Sequence, residues 1–293
     1  MDNKSFINQD PNDYDINTII LGTDDKCYIV KTNESNNKEW YKIDDLTKFL
    51  DSLSDEFYNT AYHPIVEKMT HSETGLEEKF GGRKPFFVKG EQWPSVNNFH
   101  MTFFGQLKDP RKKNNILYRI FIMIDDTDND FKEDFWINTI ELNETNLKNQ
   151  IIIEKPSYTN LISKQSTHST LVYTNSTSIP KSNIYEPYKI ITYTQKLELQ
   201  SLQQFLEDFQ LPDYQYGNDN TLYNKFYDAY ISSNLAPSYG VKIGGTPMST
   251  QSSDYVEHYD FLQITETEYL PYQWGDCGIA HVSDNCKFIW DCC

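Results

Sequence analysis

The last stretch of the chain, QWGDCGIAHVSDNCKFIWDCC, collects Asp276, Cys277, His281, Cys286, Cys292 and Cys293. Two chemistries use such residues. A thiol and a nearby imidazole can act as nucleophile and general base. Gly275 and Gly278 flank Cys277 and would expose its sulfur in a turn. No third side chain that would orient the imidazole can be identified. Asp276 reads better as a cap of that turn, its carboxylate accepting from backbone N–H groups two residues on. Thiols and a histidine at this density can also hold zinc. Structural zinc sites use short paired spacings such as Cys-x2-Cys, and Cys277 and Cys286 lie too far apart for that. Adjacent Cys292 and Cys293 would point opposite ways in a strand. Thiols buried as small apolar side chains fit the spacing better, so no metal and no cofactor are expected.

Other residues invite chemistry more weakly. His100 and His258 each stand just before an aromatic strand, at related positions, where a pair of rim histidines is the simpler reading than a shared metal. The acidic run at residues 125–130 lacks the glycine and closing glutamate of a calcium loop. Two Gly-Gly turns, Gly81 with Gly82 and Gly244 with Gly245, lack the Gly-Lys-Ser/Thr ending of a phosphate-binding loop and read as structural turns. Trp93 and Trp274 are candidate binding residues, because rigid aromatics with a polar tip serve recognition surfaces. They serve β-rich cores equally well, and composition does not separate the two.

The bulk properties exclude more than they assign. Net charge is −17, and the only arginines are Arg83, Arg111 and Arg119. Such a chain meets a repulsive field near nucleic acid or an anionic membrane, so neither is an expected partner. KDPRKKNN, residues 108–115, is the one basic run, and it reads as a solvated loop between strands. The first residues lack the basic and apolar regions of a signal peptide. The most apolar run is interrupted by Arg119 and is too short to cross a bilayer. Five cysteines, an odd number, separated by a long cysteine-free middle, point to reduced thiols in the cytoplasm rather than a disulfide framework.

These residues must be positioned by an α+β fold with antiparallel or mixed sheets and flanking helices. Residues 1–15 are polar and acidic and are expected to be disordered. TIILG and KCYIVK read as a hairpin. Apolar residues at Ile43, Leu46, Phe49, Leu50 and Leu53 predict a helix to about Phe57, with a second helix running to about Met69 around Pro64. FHMTFFGQL, ILYRIFIMID, FWINTIEL, QIIIEK and YKIITYTQKLEL read as strands. The Ser/Thr-rich residues 163–183 read as a long connection. Two helices are predicted around LQQFLEDF and NTLYNKFYDAYISS.

The two Gly-Gly turns align with one another. Lys79-Phe80-Gly81-Gly82 matches Lys242-Ile243-Gly244-Gly245, Pro85 and Pro247 follow, and each turn precedes an aromatic strand carrying a glutamine, Gln106 or Gln263. Those glutamines are expected to be buried and bonded to backbone. Trp93-Pro94, the run from Trp274 to Gly278, and Phe288-Ile289-Trp290-Asp291-Cys292 complete a set that resembles the YwqG-like family, proteins of unknown function. The resemblance covers roughly residues 76–293. It implies one duplicated α+β domain with halves at about 76–155 and 186–293, preceded by a hairpin-and-helix segment over residues 16–75. It implies no reaction. In that pattern Gly81, Gly82, Gln106, Gly244, Gly245, Gln263, Trp274, Gly275, Asp276, Gly278 and Trp290 are structural. The expectation is a non-catalytic binding or interaction protein with a protein partner. The alternatives are a hydrolase-like enzyme with its site in the seam between repeats, and a structural component of a virus particle, where the compartment would be host cytoplasm or virion.

Overall fold

A computed structural model describes residues 7–96, 99–122, 135–153, 186–211, 221–250, 260–270 and 277–291. The chain divides into two compact units. The smaller joins Met1–Thr60 to Leu197–Ser238, so the first sixty residues fold with a later segment, a grouping the sequence did not suggest. The larger joins Ala61–Lys196 to Tyr239–Cys293.

In the smaller unit, β1 (Ile19–Leu21), β2 (Cys27–Thr32) and β3 (Lys38–Ile43) form an antiparallel sheet. The expected hairpin is β1 and β2; β3 is additional. Helices α1 (Leu46–Leu50), α3 (Leu202–Asp208) and α4 (Thr221–Ser232) share a core with it, formed by Ile19, Ile29, Leu50, Phe205, Phe209 and Phe226. Asp45 and Ser201 cap α1 and α3 by accepting from the N–H groups of Lys48 and Gln204.

Three expectations are corrected here. Residues 7–15 are placed, not disordered: Ile7 is buried, Asp10 caps a 3-10 turn at Pro11–Asp13, and Tyr14 packs edge-on against Trp40. The helix expected from Ile43 to Phe57 stops at Leu50. Ser52 and Leu53 bond back in tight turns to Phe49 and Leu50, and Asp51 is taken up by the Ser233 hydroxyl, so short polar side chains compete with the helix. Its apolar residues still reach one core. The second expected helix is a strand, β4 (Tyr58–Lys68). Its β-branched and aromatic residues suit a pleat, and Pro64 lies beyond Ala61 and Tyr62, the residues that pair with the next strand on one side.

The larger unit is a ten-stranded, mostly antiparallel sheet. Besides β4 it contains β5 (Lys79–Phe80), β9 (Thr102–Lys108), β10 (Ile116–Ile122), β11 (Phe135–Glu141), β13 (Tyr188–Leu199), β14 (Lys242–Gly244), β15 (Leu262–Ile264), β16 (Ile279–Val282) and β17 (Phe288–Asp291). The order is β11-β10-β9-β5-β13-β4-β14-β15-β16-β17. Two arms therefore run outward from the central pair β13 and β4: a first arm of β5, β9, β10 and β11, and a second of β14, β15, β16 and β17. β4 precedes β5 in the chain yet pairs with β14, and β13 precedes β14 yet pairs with β5. The sheet curls until its ends meet: the rings of Phe135 on β11 and Phe288 on β17 stack 3.4 Å apart. Phe80, Phe104, Tyr118, Ile243, Phe261 and Val282 fill the enclosed core, and Phe288 and Trp290 pack against it.

The basic loop between β9 and β10 helps close this curl instead of simply facing solvent. Arg111 clamps the buried Asp109 and reaches Asp284 and the Asp260 carbonyl, and Lys112 joins Asp284 at 2.9 Å. Short strands β6 (Phe87–Val88), β7 (Ser95–Val96), β8 (Phe99–His100) and β12 (Gln150–Ile151), with helix α2 (Glu144–Lys148), complete the unit. Phe87, Trp93, Met101, Phe103 and Phe121 make a second buried cluster on the other face of the first arm. No helix among the described residues is long and apolar enough to cross a membrane.

Candidate functional site

The two Gly-Gly turns are built by the same hydrogen bonds. Lys79 and Lys242 are wholly buried at the start of β5 and β14. Lys79 Nζ donates to the Lys84 carbonyl at 2.8 Å, and Lys242 Nζ donates to the Thr246 carbonyl at 2.7 Å. Two residues beyond each carbonyl, the N–H of Phe86 or Met248 donates to the side-chain oxygen of Gln106 or Gln263. Two residues before each lysine, the Glu77 or Gly240 carbonyl accepts from that glutamine's amide nitrogen. Gln106 lies opposite Lys79 and Gln263 opposite Lys242 in the strand register. The glycines Gly81, Gly82, Gly244 and Gly245 all have positive φ, 65°, 92°, 66° and 74°, which explains their identity. The expectation of buried glutamines in backbone service is met: Gln106 is 0% and Gln263 3% exposed.

Around the first turn the chain adds charge. The Glu73 carboxylate accepts from Lys79 Nζ at 2.8 Å, from the Arg83 N–H at 2.9 Å and from the Lys84 N–H at 3.1 Å. Glu77 lies 3.4 Å from the same ammonium. Burial pushes the Glu77 carboxyl up, but hydrogen bonds from the Thr74 hydroxyl and N–H, with the Lys79 charge, outweigh it and hold the group at about 2. On β10, Arg119 is fully buried between the rings of Phe87 and Trp136. It donates to Glu91, the Phe86 carbonyl and Asn138. Burial raises the carboxyls of Glu91 and Asp109, and their arginine partners Arg119 and Arg111 more than reverse this, leaving both lowered.

The residues singled out in the tail are divided. Cys277 is exposed in a turn at φ 54°, whereas His281, on β16, is wholly buried. The thiol is therefore open to solvent and the imidazole is sealed from it. Asp276, Trp274, Gly275, Cys292, Cys293 and His258 lie outside the described residues, as do residues 125–130 and 163–183. Gly278 leads from the turn into β16. Cys27 and Cys286 are free thiols, raised by burial. Among the described residues no group of three His, Cys, Asp or Glu side chains is placed to hold a metal. Trp93 is a core residue, its N–H donated to the Met101 carbonyl at 2.7 Å. His100 is half-buried on β8, with Nδ1 unbonded among the described residues.

An open surface lies instead on the outer face of the central strands. Tyr62 and Val66 of β4 pack into the core, so Ile65 and Glu67 face away. Ile65 is 45% exposed and Ile191 on β13 is 52% exposed. Ile191 lines a groove of about 350 Å³ together with Glu67, Met69, His71, Glu77 and Lys189 among others.

No protein-family model matches the chain, and no curated protein matches it. The residues missed in the sequence are ionic. Glu73, Glu91, Asp109 and the buried state of Lys79 and Arg119 carry no local signal, because charged residues read as solvated until a partner distant in sequence is known. The lysine of each Gly-Gly turn was visible by alignment, without a role.

Proposed function

We propose that this chain is a binding protein without a catalytic centre, built on a duplicated YwqG-like scaffold. Its partner is an extended, basic protein segment lying across the outer face of β4 and β13. The matching hydrogen bonds of the two Gly-Gly turns, and the order of the sheet about its central pair, support the duplication. The observation that carries the binding reading is the exposure of Ile65 on β4 and of Ile191 on β13, the latter lining the groove. Adjacent strands in the middle of a large sheet are where burial is expected, and an apolar pair left in water there fits a surface that a partner covers. The net charge of −17 favours a basic partner by steering and by complementarity. Within the first arm, the buried ions are engaged by internal partners, which suits a rigid scaffold better than a reaction centre.

Fluorescence anisotropy with labelled peptides tests this. Extended peptides alternating Lys with Val or Leu should bind, and Glu-for-Lys counterparts should not. Ile65→Asp with Ile191→Asp should weaken binding at least about tenfold, the equivalent of ~1.4 kcal/mol, without changing the far-ultraviolet circular dichroism. Equal binding of acidic and basic peptides, or a folded double variant with undiminished affinity, sinks the proposal.

A further inference from the structure

We infer that the first Gly-Gly turn is a carboxylate-binding site that the chain holds closed with its own Glu73. The site adjoins the β4–β13 groove, which Ser72, Thr74 and Glu77 line, but the inference rests on the contacts of Glu73 and not on the exposed isoleucines. The receptor has three donors: the backbone N–H groups of Arg83 and Lys84, and the buried ammonium of Lys79. Successive N–H groups converging on one point form an anion-binding concavity. The glycines supply the backbone for it, with φ of 65° at Gly81 and 92° at Gly82. The space is cut to an oxyanion: a Cβ on Gly82 would sit 2.3 Å from Glu73 Oε2. Lys79, Arg83 and Lys84 also concentrate positive charge in one turn of an otherwise acidic chain.

Glu73 is a separable occupant. It sits between β4 and β5 on a connection without regular structure, flanked by exposed Ser72 and Thr74. If it withdrew, the buried Lys79 would keep Glu77 at 3.4 Å and the Lys84 carbonyl at 2.8 Å. No unpaired charge would be stranded, so the large penalty for breaking a buried ion pair is avoided. What opens is the pair of N–H groups at Arg83, an exposed residue, and Lys84. The vacancy matches a carboxylate, such as a peptide C-terminus or an Asp or Glu side chain. Glu73 is thus an internal stand-in for an external ligand.

The test uses the full chain carrying Glu73→Ala, titrated with acetate, and with chloride and phosphate at matched ionic strength. The Arg83 and Lys84 amide resonances should shift saturably with acetate, and the melting temperature should rise with acetate concentration. Wild type should show neither response, because Glu73 fills the site. Adding Gly82→Ala to the variant should abolish the response, both by placing a methyl group where the carboxylate lies and by straining the backbone at φ 92° that aims the two N–H groups. If Glu73→Ala does not fold alone, acetate-specific recovery of cooperative folding is the corresponding result. The inference is overturned if chloride acts like acetate, if phosphate binds and acetate does not, if wild type responds equally, or if an unfolded Glu73→Ala variant stays unfolded in acetate.

Discussion

Arg119 and His281 occupy matching places in the two arms of the sheet. Arg119 stands opposite Gln106 across β9 and β10, and His281 stands opposite Gln263 across β15 and β16. Both are wholly buried. One strand further out, Arg119 faces Asn138 and His281 faces Ile289. The arms therefore agree where side chains serve the backbone and differ one strand away. A glutamine that bonds a turn cannot change without leaving backbone groups unpaired. Its neighbour can change, provided nearby segments supply what the new residue needs. For Arg119 those segments are residues 86–91, which offer the Phe86 carbonyl and the Glu91 carboxylate.

The largest effect is expected from removing that arginine. Arg119→Ala removes the cation beside Glu91, which keeps the Val88 N–H, and empties the space between two aromatic rings. Deleting one member of a fully buried pair typically costs about 3–5 kcal/mol; the Glu91 side chain is 27% exposed, so the loss should fall toward the lower end of that range, with the emptied space adding to it. Urea denaturation should show it. His281→Leu, which deletes no formal arginine charge, should fall in the ordinary range of about 0.5–3 kcal/mol. A loss at His281 as large as that at Arg119 would mean that the second arm depends as heavily on its residue at this position, and the contrast would fail.

The glutamines should behave alike. Gln106→Leu strands the N–H of Phe86, and Gln263→Leu strands that of Met248. An unsatisfied buried donor costs about 1–3 kcal/mol; the Phe86 bond is buried and the Met248 bond part-buried, so both variants should lose stability in the same denaturation assay, Gln263→Leu toward the lower end. A loss at one and none at the other would show that the two turns are not equivalent in energy, however similar their geometry.

How much of this could be read in advance follows the same division. Gly-Gly turns, glutamines and strands such as FHMTFFGQL announce themselves through residue type, because backbone geometry and apolar pleats leave local marks. YNTAYHPIVEK misled because proline suggested an interrupted helix, while the pairing that makes it a strand comes from β13 and β14, far along the chain. KEWYKI was passed over because its charged residues hide a sheet edge. Arg111 looked like part of a solvated loop, and only the approach of Asp284 and the Asp260 carbonyl gives it a structural place. The exposed Ile65 and Ile191 carried no signal at all, since an apolar residue on an expected helix, as for Ile65, or strand, as for Ile191, is ordinarily taken as core.

Acid should separate the arms more gently. Glu77, Glu91 and Asp109 all belong to the first arm, and all three have lowered pKa values in the folded state. A lowered folded pKa contributes stability that is complete above the unfolded value and is lost as pH falls through the folded one. For Glu77 the window runs from the ordinary 4.5 down to about 2. At pH 4 its protonation linkage should already have removed roughly 1 kcal/mol relative to neutral pH. Hydrogen exchange should therefore show amides of β5 and β9 losing protection between pH 5 and pH 3, after correction for intrinsic exchange, while those of β15 and β16 change less. Glu77→Gln should flatten the response in the first arm and leave the second unaltered. Parallel loss in both arms would place the acid-sensitive contacts elsewhere, and would make the charges around the first turn ornament to the hydrogen bonds rather than part of its support.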